Sequence, residues 1–121
     1  MQRAPATTSR GEDALLPLVR RYPALAVLTR AVLAHLPTPV VYAGALSPSL
    51  WIKRDDLTSD AIGGSKVRAL EFLLGRVRPG DEVLTVGGTG STHALTTAVF
   101  ARQLGAKVTL FSWRQEMNDS A

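Results

Sequence analysis

Cysteine is absent from the 121 residues, which excludes disulfide staples, thiolate metal sites and thiol nucleophiles. Aromatic residues are scarce, at two Trp, two Tyr and three Phe. The stripe of basic side chains interleaved with aromatics that marks many nucleic-acid surfaces is therefore missing. Long apolar runs are missing as well: the densest, residues 24–28, is five long, against roughly 18 for a membrane span. The first eleven residues carry no apolar segment of the secretory kind. These absences set the expectations of a cytoplasmic protein with neither a membrane nor a nucleic acid as partner. Acidic residues are outnumbered, 10 Asp+Glu against 14 Lys+Arg, for a net charge of +4. The basic residues are scattered, with Arg20-Arg21, Lys53-Arg54 and Arg76/Arg78 as the only close groups, so the excess reads as a solvated surface. What is present, 45% hydrophobic and 20% charged residues, is the composition of a folded globular chain.

Three textures follow one another. Residues 1–12 lack periodicity and are expected to be a disordered N-terminal tail. From residue 13 leucines and alanines dominate, but Pro17 and Pro23 interrupt any single long helix. The spacing of Leu25, Leu28, Val32 and Leu36 predicts a core-facing helix over 23–36, with His35 as an ordinary helix-end residue. Pro37-Thr38-Pro39 then forces extended backbone. Residues 40–42 and 50–53 read as short strands around a turn, with Trp51 as a core aromatic.

From Gly63 the pattern alternates regularly. A helix over 66–74 presents Val67, Leu70 and Leu74 on one face and stops at Gly75. Arg78-Pro79-Gly80-Asp81 is a turn. A buried strand over 82–86, a glycine loop at 87–90, a helix over 91–104 ended by Gly105, and a strand over 107–113 make a βαβ unit. Such a unit has parallel strands and a right-handed crossover. The fold class is α/β.

Open α/β sheets place ligands where a strand's C-terminal end turns into a helix N-terminus, and the helix dipole there favours anions. At Gly87-Gly88-Thr89-Gly90-Ser91-Thr92-His93 three familiar loops fail. The third glycine of the dinucleotide fingerprint is replaced by His93, no lysine completes a phosphate loop, and Thr89 stands where a nucleophile elbow needs glycine. Hydroxyls, an imidazole and free N–H groups at a helix start remain. They suit an N-cap or the binding of a carboxylate or phosphate, and local pattern does not choose between them. Lys66, after Gly63-Gly64-Ser65, also stands at a helix start. A positive dipole end opposes the cation and favours the nucleophilic amine, although a surface lysine fits as well. Asp55-Asp56 could equally be a solvated turn or part of a functional run.

Three runs occurring in order carry a resemblance: Leu50-Trp51-Ile52-Lys53-Arg54-Asp55-Asp56-Leu57-Thr58, Gly-Gly-Ser-Lys-Val-Arg-Ala-Leu-Glu-Phe-Leu-Leu at 63–74, and Gly-Gly-x-x-Ser-x-His from Gly87. With the approach Pro37-Thr38-Pro39-Val40, they resemble the pyridoxal-phosphate enzymes grouped as D-cysteine desulfhydrase and 1-aminocyclopropane-1-carboxylate deaminase, over about 36–113. The resemblance implies the tryptophan-synthase-β-like fold (fold type II), a three-layer parallel sheet, here incomplete. It implies pyridoxal 5'-phosphate as cofactor and a small amino acid as substrate. Lys66 would be the Schiff-base lysine that also shuttles the substrate's α-proton. Ser91, Thr92 and His93 would receive the substrate carboxylate, with Ser91 in acid–base or positioning work and Thr92 near the cofactor.

Two positions depart from the family pattern. Thr92 replaces an asparagine that hydrogen-bonds the cofactor's 3'-oxygen, which implies a weaker or water-mediated contact, and Ser65 replaces another asparagine. His93 matches the desulfhydrase side, where the deaminase side tends to carry glutamine. The expected activity is thus D-cysteine desulfhydrase-like α,β-elimination releasing sulfide, ammonia and pyruvate. The alternatives are 1-aminocyclopropane-1-carboxylate deaminase and a non-catalytic α/β binding module. The expected layout assigns 13–62 to a larger domain and 63–121 to the first part of a smaller α/β domain. The remainder, with the phosphate loop and the partner of the pyridine nitrogen, is expected elsewhere. On that expectation the chain is an N-terminal piece, inactive alone, of a protein that is a homodimer at full length. No metal is expected.

Overall fold

The computed structural model describes residues 8–9 and 17–114. Its elements are β1 (Thr8–Ser9), α1 (Pro17–Arg21), a 3-10 turn (Pro23–Val27), β2 (Arg30–Ala31), β3 (Val40–Tyr42), β4 (Trp51–Lys53), a second 3-10 turn (Asp55–Thr58), α2 (Lys66–Leu73), β5 (Glu82–Gly88), α3 (Thr92–Gln103) and β6 (Lys107–Trp113). Three two-stranded sheets result: β1 with β2 and β3 with β4 antiparallel, β5 with β6 parallel. Most of the residue 1–12 stretch lies outside the described residues, while Thr8 and Ser9 pair with Ala31 and Arg30.

The βαβ unit forms where the sequence predicts it. β5 and β6 run in register from Glu82↔Lys107 to Gly88↔Trp113, and α3 packs on both. Ser91 caps α3, its Oγ accepting from the Ala94 N–H at 3.3 Å, and Gly105 ends it at φ +84°, a left-handed angle that glycine adopts without penalty. The Arg78–Asp81 turn closes by Asp81 N–H donating to the Arg78 carbonyl at 3.1 Å, with Gly80 at φ +91°. The strand over 82–86 is longer than predicted, reaching Gly88, and it is not buried throughout. Alternation puts Thr85 and Gly87 beneath α3, while Leu84 and Val86 are exposed, as are Phe111, the partner of Val86, and Trp113, the partner of Gly88.

The core joins α2, α3 and the segment after β2. Val67, Leu70 and Leu74, the predicted face, meet Phe100, Ala101, Leu104, Ala106, Ala31 and Leu33. The predicted helix over 23–36 does not form. Pro23 begins only a 3-10 turn to Val27, and the chain then extends through β2. Glu71 explains the difference. Its buried Oε1 accepts from the Leu33 N–H at 3.0 Å and the Ala34 N–H at 2.9 Å, amides a helix would have paired along itself. Arg30 Nη1 donates to both carboxylate oxygens at 3.2 Å. A tertiary carboxylate has overridden a local period.

Gly75 also acts differently from the expected left-handed stop. It does not have positive φ, and a Cβ there would stand 2.0 Å from the Thr29 carbonyl oxygen. The residue is small because two chain segments touch. His35 accordingly lies outside any helix, its Nε2 3.8 Å from Asp60 Oδ2. Trp51 is 62% exposed, leaning on Tyr42 across the β3–β4 hairpin at 5.0 Å between ring centroids, so it is not a core aromatic.

Candidate active site

Lys66 is the first residue of α2 and its side chain is exposed. It has no hydrogen-bond or ion-pair partner among the described residues. Its neighbour Val67 is fully buried in the α2–α3 core, so the backbone beneath the amine is anchored while the amine itself stays free.

The loop that delivers Lys66 is stapled to the turn before it. Gly64 N–H donates to the Asp55 carbonyl at 2.7 Å and to Thr58 Oγ1 at 3.0 Å. Buried Thr58 Oγ1 lies 2.7 Å from the same carbonyl. Gly63 lies so close that a Cβ would stand 1.9 Å from the Asp56 carbonyl oxygen. Both glycines of the Gly-Gly-Ser-Lys run are thus accounted for: the first by close approach, the second by its φ of +128°.

Asp55 is not a solvated turn residue. Arg68, one half-turn past Lys66, grips its carboxylate with Nε to Oδ2 at 3.0 Å and Nη2 to Oδ1 at 2.7 Å. Buried Thr38 donates to Oδ1 at 3.0 Å and accepts from Arg68 Nη2 at 2.9 Å. Lys53 Nζ donates to the Thr38 carbonyl. The Arg68 hydrogen bonds hold the Asp55 carboxyl below the usual carboxylate range, and Asp55 in turn raises Arg68. Asp56 is exposed and pairs with Arg54 at 2.7 Å, which lowers it likewise. Sequence reasoning did not single out Thr38, Thr58, Arg68 or Glu71. Their partners lie between 3 and 41 positions away, and no local period records the longer pairings.

The second predicted cluster sits at the N-terminus of α3. Ser91 Oγ serves as the cap, and the Thr92 and His93 side chains are exposed. Their backbone N–H groups, first-turn amides without intrahelical acceptors, have no partner among the described residues. The Thr92 and His93 carbonyls accept from Thr96 and Thr97 Oγ1 at 2.6 and 2.8 Å, so the buried threonines of α3 find their partners within the helix. A Cβ on Gly87 would meet Ser91 Oγ at 2.5 Å; glycine there lets the strand pass directly beneath the cap. No hydrogen bond or ion pair links Lys66 to residues 91–93. What joins the two helix starts is the core that α2 and α3 share.

A cleft of about 870 Å³, mainly apolar, is walled by Leu18, Leu36, Pro37 and Phe72, with Lys53 and Arg68 of the clamp among its polar lining. Its lining includes neither Lys66 nor residues 91–93. The chemistry-bearing groups, not this cleft, mark the candidate site. Among the described residues no His/Cys/Asp/Glu group could hold a metal ion, and no helix is long and apolar enough to cross a membrane.

Comparison with known proteins identifies relatives of the chain. Over 106 residues the chain is 40% identical to a Pyrococcus abyssi protein provisionally named 1-aminocyclopropane-1-carboxylate deaminase, covering 83% of this chain and 30% of that protein. It is 44% identical over 82 residues to the D-cysteine desulfhydrase of Salmonella paratyphi B, covering 63% and 25%. It is 42% identical over 78 residues to the bifunctional D-cysteine desulfhydrase/1-aminocyclopropane-1-carboxylate deaminase of Arabidopsis thaliana, a mitochondrial protein by its name, covering 60% and 20%. The chain thus spans between 20% and 30% of the length of these relatives. No solved structure gives a significant match. The family model described as pyridoxal-phosphate dependent enzyme matches residues 32–120, which take in Lys66, the Asp55 clamp and the α3 start. The chain belongs to the family of pyridoxal-phosphate-dependent enzymes.

Proposed function

We propose that this chain carries the lysine side of the site of a cytoplasmic pyridoxal-phosphate-dependent lyase that acts on a small amino acid in the manner of D-cysteine desulfhydrase. The net reaction is D-cysteine and water to pyruvate, ammonia and sulfide. The observation that carries the reading is the exposed Lys66 amine, without a partner among the described residues, on an anchored helix start, in a chain whose α3 start offers N–H donors likewise unpartnered among them. These groups fit the cofactor. An amine without a partner suits its aldehyde, and uncharged donors at a positive dipole end suit an anionic group.

The cofactor, when bound, supplies that aldehyde and an electron sink for charge developing at the substrate's Cα. Lys66 provides the amine and takes or returns the proton at Cα. The Thr92 and His93 amides orient the substrate carboxylate, and Ser91 Oγ, held as a cap, keeps the first turn of α3 aimed at it. Thr92 would face the cofactor with a hydroxyl, shorter than the asparagine side chain it replaces. The same reading places 13–62 in a larger domain and 63–121 at the start of a smaller one, within a three-layer parallel sheet of fold type II and a homodimer. The parallel β5–β6 pair with α3 on one face supports that sheet.

His93 favours D-cysteine as substrate. Deamination of 1-aminocyclopropane-1-carboxylate is the second reading, favoured by the name of the Pyrococcus relative. The test incubates the protein at the full length of its relatives, this chain alone being expected inactive, with pyridoxal 5'-phosphate and assays sulfide from D-cysteine and ammonia from 1-aminocyclopropane-1-carboxylate. Sulfide release that is lost in Lys66→Ala is expected. Ammonia from the cyclopropane substrate alone selects the second reading. Cofactor binding with turnover of neither substrate contradicts both and leaves a binding module.

A further inference from the structure

Lys66 is bracketed symmetrically. Two residues before it the Gly64 N–H, and two residues after it the Arg68 guanidinium, both reach one residue: Asp55 takes the first on its backbone carbonyl at 2.7 Å, shared with Thr58 Oγ1 at 3.0 Å, and the second on its carboxylate at 2.7 and 3.0 Å. Thr38 closes the clamp, contacting Asp55 and Arg68 together. A bidentate arginine–carboxylate pair fixes orientation as well as distance. A grip on both flanks of a three-residue step leaves the backbone of Lys66 little freedom to rotate. Without it the Gly63-Gly64 entry, glycine at both positions, would be the most permissive stretch of backbone near the amine.

We infer that Asp55, through Gly64 and Arg68, is the positioning residue that aims the Lys66 amine. The inference rests on the role given to Lys66 above but assigns a device that the role does not require. Asp55 touches neither Lys66 nor any group of the α3 start; it acts through the two neighbours. The clamp matters because an amine displaced by about 1 Å from its target loses much of its rate.

The test compares the unsubstituted chain with Asp55→Asn and with Arg68→Lys, which keeps the cation but loses the fork. Each is treated with pyridoxal 5'-phosphate and borohydride, and the cofactor fixed on Lys66 is measured against that on Lys107, an exposed lysine at the start of β6. Amide hydrogen exchange is read in the same samples. A loss of about fivefold in the Lys66 to Lys107 ratio, with faster exchange at Gly64 and unchanged protection of β5 and α3, supports the clamp. An unchanged ratio and unchanged Gly64 exchange in a variant that keeps β5 and α3 protected overturns it. Should Asp55→Asn lose that protection, Arg68→Lys decides by the same two results. If Lys66 is not preferred over Lys107 in the unsubstituted chain, the role of Lys66 as the cofactor lysine fails. Gly64 exchange then decides the clamp alone: faster exchange in the variants supports it and unchanged exchange overturns it.

Discussion

At the residue scale, several glycines are explained by what stands next to them. Gly75 faces the Thr29 carbonyl and Gly63 the Asp56 carbonyl, each at a distance that leaves no room for a methyl group. Gly75→Ala is expected to destabilise the fold by about 2 kcal/mol through overpacking, read as a lowered denaturant midpoint. Gly64→Ala faces open space instead, and its cost, about 1 kcal/mol, comes from the backbone angle alone. Equal effects at both positions contradict the distinction. This difference was not legible in the sequence, where a Gly at a helix end reads as a left-handed cap. Gly105 does act that way; Gly75 does not, because the segment it touches lies 46 positions earlier in the chain.

At the scale of elements, the βαβ unit was legible because each of its signals is local: a strand-length apolar run, a glycine loop, Ser91 as cap, Gly105 as stop. The helix over 23–36 was misread because its period is also local, whereas the groups that cancel it belong to α2. The carboxylate of Glu71 is 2% exposed and serves Arg30, Leu33 and Ala34 together, so removing it takes the counter-charge from a buried cation and the acceptor from two amides. Glu71→Ala is therefore expected to cost about 3 kcal/mol, with loss of amide protection at Leu33 and Ala34 before that of α3. A second expectation concerns acid. Asp55 titrates lower in the folded chain because Arg68 holds its charged form, so its contribution is fully present above the unfolded value and is lost as pH falls through the folded one, below about pH 4. Stability measured from pH 6 downward should fall less steeply in Asp55→Asn than in the unsubstituted chain; matching slopes would exclude Asp55 as a source of acid lability. The candidate site follows the same division. Lys66 and residues 91–93 were legible as helix-start groups, while the Thr38–Asp55–Arg68 clamp joins positions 13 to 30 apart and announces itself in no pattern.

On the scale of the molecule, one core unites the two helix starts, and Phe100 is its largest fully buried side chain. Phe100→Ala should cost about 4 kcal/mol, whereas Phe111→Thr, on the uncovered face of β5–β6, should change stability by less than about 0.5 kcal/mol. Thermal or denaturant unfolding of the two variants checks the contrast. On the proposed function, this shared core presents a single reactive lysine. The most direct measurement is a mass map of the chain after pyridoxal 5'-phosphate and borohydride, since the sequence offers only Lys53, Lys66 and Lys107. Modification is expected to concentrate on Lys66, with a long-wavelength absorption band that disappears in Lys66→Ala. Modification spread evenly over the three lysines, or a band that survives Lys66→Ala, would contradict the proposed function.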